Sequence, residues 1–111
     1  MEYEKLIRGG NVAVIYSPGF GAGWSTWIHE RESEAVFDKD LALAILGESD
    51  ETPLQVVERK GYKGYTGKEK EALGLRDVAL AWVPEGQRFE IHEYDGSEGI
   101  RMLRPEDGYV A

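Results

Sequence analysis

Apolar positions cluster most densely at "NVAVIYS", Asn11 to Ser17, where β-branched residues run almost without interruption between Gly9-Gly10 and Pro18-Gly19. Continuous apolar character bounded by turn residues predicts a strand buried on both faces, central in its sheet. The pattern then changes period. "FDKDLALAILG" offers Asp38 as N-cap, Asp40 in the first turn, an apolar set at Leu41, Ala42, Ile45 and Leu46, and Gly47 as a stop, which together predict a short helix. "TPLQVVERKG" predicts a second one: Thr52 and Gln55 can form a capping box, Pro53 fits the first helical position, and Gly61 follows the basic last turn of Arg59 and Lys60. "YKGYTGKEKEALGL" has no sustained period and reads as loop. "VALAWV" and "RFEIHEY" flank "PEGQ" and predict a hairpin, with Phe89 and Ile91 on one face of its second strand and Arg88, Glu90, His92 and Tyr94 on the other. Asp95 to Ser97 turn again into "GIRMLR", a third member of a C-terminal meander. The expected fold is α+β: a small, mostly antiparallel sheet of about four strands with two short helices on one face.

Length and charge narrow the function classes. With 111 residues, no repeats and no Pro/Ser-rich divider, the chain is expected to form a single domain over 1–111. The net charge of -8 disfavours duplex nucleic acid and anionic membrane, so a phosphate would need a local basic cluster. There is no cysteine, which excludes thiolate chemistry and suits a reducing compartment, and no apolar run approaches spanning length. A cytoplasmic location is expected.

Two stretches invite a recognition role. "YSPGFGAGWSTW" follows the predicted strand with Gly19, Gly21 and Gly23, interleaved with Phe20 and leading to Trp24 and Trp27. Glycines let backbone N–H groups approach an anion, and aromatic faces can stack on a base, although the spacing matches neither the dinucleotide nor the Walker pattern. The alternative is a wide turn whose aromatics cover the core edge. "KGYKGYTGKEK" places Lys60, Lys63, Lys68 and Lys70 among Tyr62 and Tyr65, a basic and aromatic excess suited to a phosphorylated nucleotide, or else an ordinary solvated loop. His29 and His92 stand near acids without a zinc spacing, and no nucleophile elbow is present, so neither a metal, a cofactor nor a catalytic residue is assigned. Asp95, Ser97 and Glu98 form a run shorter than a calcium loop and read first as a turn.

"VAVIYSPGFGAGWSTW" together with "LAWVPEGQRFEIHEYDGSEGI" resembles a family of short proteins from bacteriophages and bacteria, over about a third of the chain. The resemblance implies a phage or prophage context, in which small accessory proteins bind a host protein or sequester a host signal as counter-defence, and it brings no catalytic residues.

The resulting expectation is a non-enzymatic, homo-oligomeric protein that captures a small anionic, nucleotide-derived ligand. Gly19, Gly21 and Gly23 would supply N–H contacts; Phe20, Trp24, Trp27, Tyr62 and Tyr65 aromatic faces; and Lys63 and Lys68 charge. The alternative is an inhibitor that docks an acidic, aromatic surface on a basic host enzyme, and a hydrolase with His29 or His92 as base beside neighbouring acids ranks last.

Overall fold

The computed structural model describes residues 4–18, 23–28, 31–62, 78–94, 97–104 and 108–111, with Trp27 by its backbone alone. β1 (Ile7–Arg8) turns through Gly9 and Gly10 into β2 (Asn11–Tyr16). A single 3-10 turn (Ser25–Trp27) and three helices follow: α1 (Glu32–Val36), α2 (Lys39–Ile45) and α3 (Pro53–Lys60). The remaining strands are β3 (Ala79–Pro84), β4 (Arg88–Tyr94), β5 (Ser97–Met102) and β6 (Tyr109–Val110). All pairings are antiparallel, in two three-stranded sheets ordered β1-β2-β3 and β5-β4-β6.

The fold is α+β, with β2 central in the first sheet. Its unbroken apolar run has a direct cause, since side chains alternate across a strand and here both sides are covered. Ala13 and Ile15 enter a core with Leu41 and Ala42 of α2 and with Val56 and Val57 of α3. Val12 and Val14 enter another with Val36, Phe37, Val83 and Phe89, between the first sheet and the second. Helices, first sheet and second sheet thus form three layers around β2.

The two expected helices form with the expected caps. Asp38 accepts from Leu41 N at 3.0 Å. Thr52 accepts from Gln55 N at 3.2 Å while the Gln55 side chain accepts from Thr52 N at 2.8 Å. Gly61 closes α3 in the left-handed region, at φ 72°.

The hairpin expected at "PEGQ" does not form. β3 pairs along its length with β2, from Ala79 opposite Tyr16 to Pro84 opposite Asn11, while β4 pairs with β5 and β6. The turn itself is present, with Gln87 N donating to Pro84 O at 3.0 Å, but it is a corner between sheets. Val83 before it and Phe89 after it both point into the same apolar layer, and burying both puts the two strands on opposite sides of that layer. Backbone bonds from Glu85 N to Gly10 O (2.9 Å) and from Gly86 N to Ala111 O (2.8 Å) hold the corner. The meander survives as β4 and β5 alone. β6 completes the second sheet through Gly108, at φ 71°, where a Cβ would stand 2.2 Å from Phe89 O, so only glycine fits.

Candidate functional site

Residues 19–22 of the glycine-rich segment lie outside the described residues, but both feet of that segment are described, and one side chain holds them. Glu98, at the start of β5, is 3% exposed. Its Oε1 accepts from Ser17 N at 2.9 Å, at the first foot. Its Oε2 accepts at the second foot from Trp24 N (2.8 Å), Thr26 N (3.0 Å) and Thr26 Oγ1 (2.5 Å). Glu98 N donates to Ser17 O at 2.7 Å, and Ser97 Oγ donates to Pro18 O at 2.7 Å. Among the described residues every bond to this carboxylate comes from backbone N–H or hydroxyl groups. A carboxylate suits such a place because it only accepts, and several converging donors replace the water it has lost.

Beside the second foot, Trp24 is fully buried, its Nε1 donating to Ala35 O at 2.9 Å. Its ring meets that of Tyr62 edge-on, with centroids 5.4 Å apart. Tyr62, 5% exposed, follows the end of α3, and its hydroxyl donates to Asp38 Oδ2 at 2.6 Å. Asp38 caps α2 and also receives Lys60 Nζ, at 2.9 Å to Oδ1 and 3.0 Å to Oδ2. The Arg31 guanidinium lies over the Tyr62 ring at 4.4 Å and pairs with Glu34 at 2.6 Å. Burial, then the bond to Asp38, push the Tyr62 phenol well above its ordinary range. Burial lowers the Lys60 ammonium, but its bonds to Asp38 and Asp40 outweigh this and leave it raised. The bond from Arg31 holds the Glu34 carboxyl below its ordinary value of 4.5. The network knits α1, α2 and α3 together at the point where the chain enters the lysine-rich segment.

Of the residues expected to form the site, the structure brings together Trp24 and Tyr62, with Gly23 buried next to Trp24. It also corrects the role expected of two of them. Trp24 and Tyr62 are core residues: Trp24 is fully buried in the apolar cluster, and Tyr62 meets it edge-on and carries the Arg31 guanidinium over its ring, so neither offers a free stacking face. A small domain gains more from burying such rings than from displaying them. Gly19, Phe20, Gly21, Lys63, Tyr65 and Lys68 lie outside the described residues, as does the Trp27 side chain.

In the sequence Glu98 reads as part of a turn, and almost nothing local marks it as a buried acceptor because its partners lie 72 to 81 positions away. Its one local signal was an acid at an inward-facing strand position, in register opposite Glu93. Compared with protein-family models, with curated proteins and with solved structures, the chain matches none.

Proposed function

We propose that the protein is a non-enzymatic binding protein that sequesters a small anionic, nucleotide-derived signalling ligand, acting as a homo-oligomer in a phage counter-defence role. The observation that carries this reading is the contact of Trp24 with Tyr62, because the two segments singled out for recognition, 19–27 and 62–68, are thereby anchored on one spot. The cations nearest the Trp24–Tyr62 contact, Arg31 and Lys60, are paired with Glu34 and Asp38 of the same chain, so the charge for an anion is proposed to come from Lys63 and Lys68, which follow Tyr62 in the sequence. The ligand would rest on the glycine segment, with Phe20 and Trp27 as remaining stacking groups beside Tyr65.

Holding both feet of a glycine-rich segment in place lowers the entropy lost when a ligand orders it, which is how preorganisation raises affinity. The test is a thermal-shift panel of linear and cyclic nucleotides. A ligand present at about 100 times its Kd stabilises by about 2.7 kcal/mol, a shift of about 10 °C for a domain of this size. No shift from any member of the panel would contradict the reading.

The second reading, an inhibitor of a basic host enzyme, draws on the outer face of the second sheet. There Tyr94 is 77% exposed on the same side of β4 as Glu90 and His92. A protein partner captured at that face, with a silent nucleotide panel, would favour it.

A further inference from the structure

The backbone N–H groups of Gly19, Gly21 and Gly23 were expected to meet an anion, and at the described feet of that segment the structure shows neighbouring donors already on a carboxylate. Ser17 N, Trp24 N, Thr26 N and Thr26 Oγ1 all point at one place, and the Glu98 carboxylate fills it. Converging backbone N–H groups make an anion-binding nest. We propose that this is a carboxylate-binding nest that the chain occupies with its own side chain, and that Glu98 is the positioning residue that fixes Ser17 at one foot relative to Trp24 and Thr26 at the other.

The geometry supports a latch more than an ordinary core contact. Each carboxylate oxygen serves one foot: Oε1 the first, at Ser17, and Oε2 the second, at Trp24 and Thr26. One rigid, planar group therefore fixes the distance between the two ends of the span from Pro18 to Gly23. The side chain reaches that place from the second sheet, and its own backbone N–H is bonded to Ser17 O, so the latch also ties the C-terminal end of β2 to β5. An apolar residue would leave the converging donors without acceptors, and a glutamine would turn an N–H group toward one of the two feet.

This inference rests on the binding reading for its purpose, but its test needs no nucleotide. In Glu98→Ala, amide hydrogen exchange at Trp24 and Thr26 is expected to accelerate at least tenfold while the β2 amides of Val14 and Ile15 stay protected. Sodium formate, against sodium chloride at equal ionic strength, should restore the protection, because formate supplies the missing group to a vacated nest. A general packing role would give no such rescue. Unchanged protection at Trp24 and Thr26, or equal effects of formate and chloride, would overturn the proposal. If Glu98→Ala does not fold, Glu98→Gln decides. One foot, Ser17 or the Trp24 and Thr26 pair, should then lose protection with β2 intact, whereas protection of both feet or loss of β2 as well would overturn it. Formate rescue alongside a silent nucleotide panel would keep the latch and remove the ligand reading; the reverse would keep the ligand and remove the latch.

Discussion

Two buried carboxylates sit on either side of Trp24, and they are answered in different ways. Asp38, 4% exposed, faces a cation, a phenol and a helix N-terminus, so its charge is neutralised by Lys60 within a set of short helices. Glu98, 3% exposed, is met among the described residues by N–H and O–H donors only, all of them on the feet of a glycine segment. A paired buried charge can serve the fold by itself. A buried carboxylate satisfied by dipoles alone keeps a desolvation cost, which is best understood where the conformation it imposes is worth that cost. The comparison separates a structural knot at Asp38 from a positioning device at Glu98, and Trp24 joins them through its N–H on one side and its ring on the other.

The largest effect is therefore expected at the joint. Trp24→Ala removes a fully buried ring packed on Tyr62 and should cost about 3–5 kcal/mol, read as a large fall in denaturant midpoint, with both carboxylate sites loosened together. A mild effect confined to binding would instead restore the exposed-platform role for this ring. Next, Asp38→Ala strips the α2 cap and removes the shortest bonds of both Lys60 and the Tyr62 hydroxyl, leaving the one to Asp40 at 3.1 Å and the other to Glu34 at 3.3 Å, a loss of about 3 kcal/mol in chemical denaturation. Amide exchange at Trp24 and Thr26 should then speed up only as far as the lower global stability requires, with no extra local opening, since Glu98 is untouched.

Tyr62→Phe is a smaller break. It deletes the 2.6 Å bond to Asp38 and should cost about 1–2 kcal/mol near neutral pH. It also carries a pH signature. The folded phenol is raised above its ordinary value of 10.0, so its contribution is fully present below that value and is lost as pH rises beyond it. The wild type should lose stability with alkali more steeply than Tyr62→Phe, by urea melts on both sides of pH 10. At the acid end the sign reverses for Glu34, whose lowered carboxyl contributes above its ordinary value of 4.5 and ceases to as pH falls below it. Arg31→Met should flatten that acid limb slightly, a small effect because the pair is partly exposed.

The sequence carried the elements whose causes are local. Both helices announce themselves by caps a few residues from their partners, as in Thr52 with Gln55 and Asp38 with Leu41. β2 announces itself by an apolar run that only two-sided burial explains. What the chain did not announce depends on distant partners. The turn at Pro84 to Gln87 has the same local chemistry whether its strands pair or part, and the choice falls to Val83 and Phe89 sharing a core. Five-residue α1 begins after Arg31 at φ 68°, a left-handed conformation that nothing in "RESEAV" marks. Trp24 could have been surface or core on its residue type alone, and Glu98 acquires its role only when β5 lies beside the end of β2. Glu98 joins in space two stretches far apart in the chain, since its partners Ser17, Trp24 and Thr26 lie 72 to 81 positions before it.

The smallest expected change in stability accompanies the most direct test of the binding account. Lys63→Glu with Lys68→Glu should shift folding stability by only about a few tenths of a kcal/mol, because their stretch has no sustained apolar period in the sequence and exposed charges contribute little to folding. Isothermal titration of a nucleotide from the thermal-shift panel into the wild type and this double variant, each at low and high salt, isolates the role of those charges. The account predicts salt-sensitive binding to the wild type and none to the variant. Equal binding to both proteins, with no dependence on salt, would contradict capture of an anion by these two segments.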